Sequence, residues 1–329
     1  MISTAKRISL LQQLGAYMLS DDAGWLEAGQ RAVLANSWFT AASVEKAVQS
    51  IVSAFLQPEK TEQWLAQYTL PASAKTVGIT MAGNIPLVGF HDFLCGFVSG
   101  HNLKLKLSSK DEVLLRHIIQ TLASWEPQVA EQVVVSDLLK NCDAYIATGS
   151  NNSARYFEQY FGKYPNIIRR NRTSVAVLDG SETAEQLAAL NEDIFTYFGL
   201  GCRNVTQLCV PEGYDFETLL AATKHAEMRM HHKYNNNYDY HLALYLLNKV
   251  PYMTNDVLLM VENSLPFSAV SVLHYRFYTD KAALGEELRN SADIQCIVGN
   301  DFMPFGSTQQ PGLSDYADGV DVMQFLCSL

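Results

Sequence analysis

The chain has 329 residues, of which 48% are hydrophobic and 18% are charged, and its formal net charge is −10. This composition is ordinary for a globular chain of two domains or one large one, and the acidic balance argues against a nucleic-acid partner. With no signal peptide visible and no apolar run near the about 18 residues of a membrane span, we predict a cytoplasmic protein without membrane insertion. Six cysteines without a CxxC pair argue against a zinc site.

The type of predicted element changes near Pro71. Before it, apolar residues such as Leu10, Leu14 and Met18 recur at helical spacing, which predicts helices over residues 1–70. After it, short β-rich runs alternate with helical stretches, and this alternation predicts an α/β protein with a parallel sheet covered on both faces. The predicted strands are TVGITMA (76–82), NLKLKL (102–107), QVVVSD (132–137), AYIATG (144–149), NIIRR (166–170), SVAVLD (174–179), TQLCVP (206–211) and LLMVE (258–262).

A first candidate site follows the strand predicted at 76–82. Gly83 allows a tight turn and Pro86 suits the first position of a helix, which predicts a helix from about residue 86. Asn84 would then lie between the carboxyl end of a strand and the amino end of a helix, a position that favours an anion or oxyanion. The alternative is an asparagine that only forms a turn. The dinucleotide fingerprint GxGxxG does not occur in the sequence.

A second candidate site is the segment ATGSNNS, which follows the strand predicted at 144–149. Gly149 can approach a ligand closely, and Ser150 can cap the helix predicted from about residue 151 or donate to a phosphate. The alternative for this segment is a helix cap without a ligand.

A third candidate site is Cys202, which follows Gly199 and Gly201 and precedes a predicted helical turn and strand. A thiol at a helix amino terminus beside Arg203 ionises more readily, which is what a thiolate nucleophile needs. The alternative is a small buried residue. Cys209, in contrast, lies within an apolar strand and is predicted to be a buried structural thiol.

The other polar clusters predict no site. The stretch 229–241 is polar and aromatic without a clear period, so we predict a surface excursion. Its histidines include His232 and His241, which would not share a helix face, and we predict surface or interface residues instead of a metal site. Glu192 and Asp193 are predicted to form a solvated helix end.

Taken in order, these motifs resemble the aldehyde dehydrogenase superfamily and, more closely, the LuxC-like acyl-CoA reductases. The order is an Asn-x-Pro-Leu turn, a lysine after a strand, Thr-Gly-Ser, and a glycine-rich loop that ends in cysteine. The segment NSWFTAASVEKAV is also similar, and the resemblance runs from about residue 35 to the end. It implies a helical N-terminal segment with a Rossmann-type cofactor domain (residues 1–173), an α/β catalytic domain (174–300) and a C-terminal segment near the active-site entrance (301–329).

Residue by residue, the resemblance implies a catalytic pair and a cofactor set, with no metal. Asn84 matches the asparagine that helps hold the thioester or aldehyde oxygen, and Cys202 matches the nucleophile. The implied cofactor contacts are Lys106 with the adenosine ribose, Gly149 and Ser150 with the pyrophosphate, and Glu262 with the nicotinamide ribose.

Two departures from the family pattern bear on the chemistry. Arg169 stands where hydrolytic relatives have the glutamate that activates water, which predicts slow hydrolysis and dependence on a thiol such as CoA. Arg169, Arg170 and Arg172 either meet CoA phosphates or form a solvated basic edge. Ser109 stands where NAD-preferring relatives often have a glutamate, and this favours NADPH, with NADH as the other candidate.

The resemblance therefore implies reduction of an acyl-CoA or other acyl thioester to an aldehyde through a thioester on Cys202. The stretch Pro304–Phe305–Gly306 resembles the family's segment near the substrate entrance, and the family suggests a homo-oligomer. Two alternatives stay open. One is an acyl transferase or thioesterase that uses Cys202 without hydride transfer, and the other is a non-catalytic scaffold subunit of the same fold.

Overall fold

A computed structural model of the chain describes residues 2–329. They form two compact units, and each contains a sheet that is mostly or wholly parallel. The first unit comprises the residues up to Asn171 together with Pro311–Leu329, and the second comprises Arg172–Gln310. The chain therefore leaves the first unit, completes the second, and returns to the first.

The helices predicted at the N-terminus are present in the first unit. They are α1 (Thr4–Met18), α2 (Ala23–Ala35), α3 (Ala41–Phe55) and α4 (Pro58–Leu65). Ser3, Asp22 and Thr40 begin the first three helices, because each side chain accepts a hydrogen bond from a first-turn amide. Their apolar faces, including Leu10 and Leu14, are buried in the core of this unit.

The first unit contains a five-stranded parallel sheet in the order β3-β2-β1-β4-β5. Its strands are β1 (Thr76–Thr80), β2 (Asn102–Lys106), β3 (Val133–Val135), β4 (Ala144–Thr148) and β5 (Asn166–Arg169). The helices between them are α5 (Phe90–Ser99), α6 (Val113–Trp125), α7 (Gln128–Gln132) and α8 (Asn151–Phe161). The strand order reverses between β1 and β4. At such a switch point the loops diverge, and α/β proteins bind ligands outside the carboxyl ends of the strands.

The second unit contains a six-stranded sheet in the order β11-β6-β7-β10-β9-β8, parallel except for the pairing of β8 with β9. Its strands are β6 (Thr173–Val177), β7 (Val205–Pro211), β8 (Met253–Thr254), β9 (Leu259–Glu262), β10 (Val272–Tyr278) and β11 (Ile294–Val298). Its helices are α9 (Ala184–Phe195), α10 (Phe216–Ala222), α11 (His232–Asn248) and α12 (Lys281–Asn290), with 3-10 turns at Thr196–Gly199 and Ala226–Met230.

The returning segment 311–329 closes the core of the first unit. It contains a 3-10 turn at Ala317–Gly319 and helix α13 (Val322–Cys327), which packs against α5. Trp64 Nε1 donates to the Tyr316 hydroxyl at 3.0 Å, and His101 Nε2 donates to the Leu326 carbonyl at 2.9 Å. These contacts join residues more than 200 positions apart in sequence.

The prediction of a surface excursion at 229–241 is wrong. Most of this stretch belongs to α11, which at 17 residues is the longest helix of residues 2–329. Tyr234 and Tyr238 are buried in it. Apolar and polar side chains are mixed around α11, so a helical period is hard to see in the sequence. No helix within residues 2–329 has both the length and the apolar composition needed to cross a membrane.

Candidate active site

Five predicted site residues lie at one edge of the first sheet. Because β1, β2 and β4 are parallel neighbours, the residues that follow them share the carboxyl edge. Lys106 ends β2 and Ser109 follows it, whereas Asn84 follows β1. Gly149 and Ser150 follow β4. The fold thus brings these residues to the edge that contains the switch point, where α/β proteins bind ligands.

The helix after Asn84 begins later than predicted. Helix α5 starts at Phe90 instead of near Pro86, because residues 84–89 form a turn in which Leu87 has a φ of 56°. A right-handed helix cannot run through a residue in this left-handed region. Asn84 is therefore exposed in the turn, several residues before the helix, and the predicted support from the helix dipole does not apply to it.

A buried carboxylate holds the turn that carries Asn84. Asp111 follows β2, is 8% exposed, and accepts hydrogen bonds from the amides of Leu87 and Val88. Burial raises the pKa of Asp111 well above its usual value, and the two amides oppose that shift. Gly83 is required on the other side of the turn, because a Cβ there would collide with Ser108. Asp111 was not predicted as a site residue, because in the sequence it looks like an ordinary residue before a helix.

The segment after β4 caps a helix, as one of the two predictions for it states. Ser150 begins α8, and its hydroxyl accepts from the Ser153 amide at 3.2 Å. A Cβ on Gly149 would lie 2.8 Å from the Cβ of Ser153 and 2.9 Å from the Phe157 ring. Close packing of α8 therefore already requires glycine here. The amino end of this 11-residue helix still lies at the carboxyl edge of the sheet.

Arg169 is neither part of a solvated basic edge nor available for a phosphate. It ends β5, is 4% exposed, and donates through Nη1 to Asp92 Oδ2 at 2.6 Å and to Thr148 Oγ1 at 3.2 Å. Because Asp92 belongs to α5, the ion pair ties the helix after the Asn84 turn to β4 and β5. The expectation for Arg169 is thus corrected: it is a buried, paired side chain.

The other two arginines have different surroundings. Arg170 is exposed and forms an ion pair with Glu158 at 2.6 Å. Arg172 belongs to the second unit and donates to the Ile294 carbonyl at 3.1 Å. Their contact with CoA stays a prediction.

Cys202 lies in the second unit, in a tight turn directly before β7. The Asn204 amide donates to the Gly201 carbonyl at 3.1 Å and closes residues 201–204, called here the Cys202 turn. The Cys202 side chain is partly exposed. The chain enters β7 at Val205 instead of the predicted helical turn, and the helix nearby in sequence, α9, ends before Cys202. The thiol is therefore not at a helix amino terminus, which corrects that prediction.

Three consecutive residues in the left-handed region separate α9 from the Cys202 turn. Tyr197, Phe198 and Gly199 have φ values of 54°, 59° and 75°. The first two carry side chains, and such residues each store on the order of 1–3 kcal/mol of strain, which is tolerated mostly at functional sites. Burial raises the pKa of Tyr197 to about 12.

Asn204, which the sequence analysis did not single out, organises the Cys202 turn. It is 0% exposed, and its Oδ1 accepts from the Gly201 amide at 2.8 Å. Its Nδ2 lies 3.1, 3.3 and 2.9 Å from the carbonyl oxygens of Asp193, Ile194 and Thr196. These carbonyls lie at the end of α9, where intrahelical donors run out. The available signal was an asparagine directly before an apolar strand, a polar residue that must find partners if buried.

Ser174 ties the Cys202 turn to neighbouring strands. Its hydroxyl donates to the Cys202 carbonyl at 3.1 Å and accepts from the Cys296 amide at 3.1 Å. Arg203, which was predicted to assist ionisation of Cys202, donates through Nη1 to the Cys296 sulfur at 3.3 Å.

The segment that begins at Glu262 crosses to the start of β7. Glu262 is exposed at the end of β9. Gln207 Nε2 then donates to the Asn263 carbonyl at 3.0 Å, and Thr206 Oγ1 donates to the Pro266 carbonyl at 2.6 Å. Because Thr206 and Gln207 are the second and third residues of β7, the second unit brings this segment close to the Cys202 turn.

Asp193 corrects the prediction of a solvated helix end. Glu192 is exposed, but Asp193 is 0% exposed, and its carboxylate accepts from the amides of Gly306 at 2.6 Å and Thr308 at 3.0 Å. Burial raises the pKa of Asp193, and these two amides oppose the shift. This carboxylate therefore holds the stretch that contains Pro304–Phe305–Gly306.

Cys209 has the buried position predicted for it. It is 0% exposed within β7, and burial raises its thiol pKa. Within residues 2–329, no group of three or more histidine, cysteine, aspartate and glutamate side chains is placed to hold a metal ion. Cys202 and Cys209 thus differ in exposure, because only the Cys202 thiol is partly exposed.

Comparison with known proteins places this geometry in a family. The model of the family described as acyl-CoA reductase (LuxC) matches residues 41–218, which is more than half of the chain. No curated protein matches the chain.

Solved aldehyde dehydrogenases share the fold. Aldehyde dehydrogenase 21 from Physcomitrella patens, in complex with the reaction product succinate, has a TM-score of 0.67 and 13% identity over 88% of this chain and 72% of its own. The NAD-dependent aldehyde dehydrogenase from Sinorhizobium meliloti has a TM-score of 0.65 and 12% identity over 91% and 71%. A mutant of indole-3-acetaldehyde dehydrogenase from P. syringae, in complex with NAD+ and IAA, has a TM-score of 0.64 and 10% identity over 91% and 72%. These likenesses confirm the predicted aldehyde-dehydrogenase-like α/β fold.

Proposed function

Because the chain belongs to the acyl-CoA reductase (LuxC) family, we propose that it reduces an acyl-CoA to an aldehyde through a thioester on Cys202. The observation that carries the proposal is the Cys202 turn. A partly exposed thiol lies in a turn fixed by Asn204 and Ser174, beside the segment that begins at Glu262. A thiol that must attack a carbonyl needs this combination of access and fixed position.

The chain's own residues perform the acyl transfer. The Cys202 thiolate attacks the thioester carbon, the oxygen gains negative charge, and CoA leaves as the thiolate when that oxyanion collapses. Asn84 donates its side-chain amide to the oxyanion, a role supported by its exposed place in the turn after β1. Reduction of the acyl–Cys202 thioester gives a thiohemiacetal, whose collapse releases the aldehyde and regenerates the Cys202 thiol.

The first unit suits a nicotinamide dinucleotide, which supplies the hydride when it is bound. The switch point between β1 and β4 and the amino end of α8 lie at one edge, and both are features that bind the phosphates of nucleotides. We assign Lys106 and Ser109 to the adenosine ribose, Gly149 and Ser150 to the pyrophosphate, and Glu262 to the nicotinamide ribose. The solved P. syringae relative in complex with NAD+ supports this class of cofactor.

NADPH is the favoured form of the cofactor. Ser109 is exposed, carries no charge and precedes Lys110, so a 2′-phosphate meets no carboxylate from this position. NADH remains the other candidate. We further propose that residues 1–173 bind the dinucleotide, that residues 174–300 carry the thiol, and that the C-terminal segment 301–329 passes the substrate entrance in its first ten residues before 311–329 return to the core of the first unit.

Hydrolysis is expected to be slow. Arg169 stands where hydrolytic relatives have their general base, and its guanidinium is buried and paired with Asp92. An arginine in such a pair stays protonated and cannot accept a proton from water. The acyl group on Cys202 therefore persists until it is reduced or returned to CoA. The homo-oligomer suggested by the family stays a prediction, which light scattering of the purified protein tests.

The test is oxidation of NADPH, followed by its absorbance, with a panel of acyl-CoAs. Wild type is compared with Cys202→Ala and with the matched control Cys209→Ala, which removes a buried thiol of β7. We expect oxidation that needs acyl-CoA, is lost in Cys202→Ala and persists in Cys209→Ala. Acyl-CoA consumption without NADPH oxidation would instead establish the transferase or thioesterase. Binding of cofactor with no turnover of any acyl-CoA would establish the scaffold.

A further inference from the structure

The carboxyl end of α9 is bonded to two separate functional segments. Asn204 of the Cys202 turn donates to its carbonyls, and Asp193 binds the amides of Gly306 and Thr308. We propose that this helix end is a positioning hub, in which Asn204 places Cys202 for acyl transfer and Asp193 places residues 304–308 for selection of the acyl chain. The inference rests on the proposed function for the roles of Cys202 and of the 304–308 segment.

The Asn204 part of the hub uses both the oxygen and the nitrogen of one side-chain amide. Its oxygen accepts from Gly201, and its nitrogen lies within 3.3 Å of three carbonyls at the end of α9. The backbone of Asn204 adds a bond from the Ser174 amide to its carbonyl, at 3.1 Å. Gly201 and Asn204, which flank Cys202, are therefore bonded to each other, and the Asn204 side chain fixes this closed turn to the end of α9. Loss of the side chain frees one end of that turn.

The Asp193 part of the hub fixes both the position and the orientation of residues 304–308. The Gly306 amide bonds one carboxylate oxygen at 2.6 Å and the Thr308 amide bonds the other at 3.0 Å. Bonds from amides to a carboxylate are stronger than those between neutral groups. Gly306 has a φ of 81°, which only glycine adopts readily, so the segment turns at the point where it is held. Two amides on one carboxylate orient residues 304–308 as well as anchoring them.

A third buried side chain of α9 supplies the matched control. Asn191 is 8% exposed, and its Nδ2 donates to the Ala222 carbonyl at 2.9 Å, at the end of α10. It stabilises the packing of α9 without a bond to the Cys202 turn or to residues 304–308. A variant of Asn191 therefore measures the effect of looser packing of α9. A variant of Asn204 measures, in addition, the effect of losing the bonds that fix the position of the Cys202 turn.

The first experiment compares Asn204→Ala with Asn191→Ala. Acylation of Cys202 by a single acyl-CoA is followed by intact-protein mass spectrometry, without any cofactor. We expect Asn204→Ala to acylate about 100-fold more slowly, as a misplaced nucleophile does, and Asn191→Ala to keep the wild-type rate. If Asn204→Ala does not fold, Asn204→Ser undergoes the same comparison. Equal rates in the Asn204 and Asn191 variants would overturn the positioning role.

The second experiment compares Asp193→Asn with Glu192→Gln, which removes the neighbouring exposed charge. An asparagine at 193 accepts from only one of the two amides. We expect the KM for long acyl-CoAs to rise roughly tenfold, with kcat retained and the chain-length profile flattened, while Glu192→Gln keeps the wild-type profile. A uniform loss of kcat at every chain length, or an unchanged profile, would overturn the selection role.

Hydrogen exchange separates failure of the hub from failure of the proposed function. Exchange of the Gly201 amide requires no substrate, and its protection should fall at least about tenfold in Asn204→Ala but not in Asn191→Ala. In Asp193→Asn, the amides of Gly306 and Thr308 should lose protection. If wild type shows no acyl-CoA-dependent oxidation of NADPH, the proposed reductase activity is wrong. If amide exchange is unchanged in both variants, the proposed hub is wrong.

Discussion

Relative to the strand direction of its own sheet, the proposed nucleophile lies at a different edge from the proposed oxyanion donor. In the first sheet, Asn84, Lys106 and Ser150 follow or end parallel strands, so they lie at the carboxyl edge. In the second sheet, Cys202 precedes β7 and therefore lies at the amino edge of strands that run parallel to it. The rule that α/β sheets bind ligands at their carboxyl edge therefore fits the residues proposed in the first sheet and Glu262 at the end of β9, but it does not fit Cys202.

Polar contacts join three strands at the carboxyl edge of the second sheet. Lys281, after β10, bonds Asp179, after β6, at 2.6 Å and Asp301, after β11, at 2.6 Å. Asn300 Nδ2 adds a bond to Asp179 at 3.3 Å. The hydrogen bond from Lys281 lowers the pKa of Asp179. These ion pairs join the carboxyl ends of three of the six strands. The carboxyl edges of the two sheets therefore differ in their side chains: that of the first carries most of the residues assigned to the cofactor, and that of the second carries this ion-paired group.

The largest expected effect is a loss of stability, and it tests the ion pair that supports the carboxyl edge of the first sheet. Asp92→Asn leaves the buried Arg169 guanidinium without its ion pair, and breaking a buried pair should lower the free energy of unfolding by about 3–5 kcal/mol. Urea denaturation measures it. Arg170→Met, which removes an exposed pair, should change stability by less than about 1 kcal/mol. Equal effects of the two variants would show that the buried pair is not a special support of this edge.

The next effect is a loss of activity, and it tests whether Asn84, at the carboxyl edge of the first sheet, takes part in catalysis. Asn84→Ala should lower kcat by roughly 100- to 1000-fold, because it removes one oxyanion donor. The matched control is Asn102→Ala, an exposed asparagine that begins β2 at the opposite edge of the same sheet. Its activity should equal that of wild type in the NADPH assay. Near-normal turnover by Asn84→Ala would remove this residue from the mechanism.

A smaller effect is expected at the carboxyl edge of the second sheet. Lys281→Met should lower the free energy of unfolding by about 1.5–3 kcal/mol, the range for hydrogen bonds to charged groups, while kcat stays that of wild type. Because the folded pKa of Asp179 is lowered from 3.8, this stabilisation is present at neutral pH and is lost as pH falls below about 4. Urea denaturation across acid pH measures it. A large loss of kcat would contradict the view of this edge as purely structural.

The smallest effect is an acid sensitivity of the first unit. The Lys75 amide donates to His101 Nδ1 at 3.0 Å, so the neutral ring carries its proton on Nε2 and donates it to Leu326. Burial lowers the pKa of His101 from 6.5, so its stabilisation is present above that pH and is lost as pH falls through the folded pKa. Relative to His101→Gln, wild type should lose stability between neutral and mildly acid pH, measured as the free energy of unfolding in urea. A pH-independent difference would contradict this.

Local patterns in the sequence predicted most elements and the family, but not the contacts that hold the site. The strands around residues 76–82 and 206–211 and the cap at Ser150 follow from periodicity and capping chemistry. Glu192 and Asp193 look alike in sequence, and only residues more than 110 positions later bury the second of them. Asn204 likewise finds partners through the tertiary fold. Such contacts depend on which segments meet, and no local propensity encodes that.

The first unit is formed from two separate parts of the chain, and this affects the order in which the units can fold during synthesis. Its core includes Val322, Met323 and Leu326 of α13, which are fully buried against it. The ribosome makes these residues only after all of Arg172–Gln310. The second unit, which carries Cys202, is therefore fully synthesised before the first unit has α13. Until then, the apolar surface of α5 that packs against α13 stays exposed. A nascent chain paused in the second unit should consequently be a good client for chaperones that recognise exposed apolar surface.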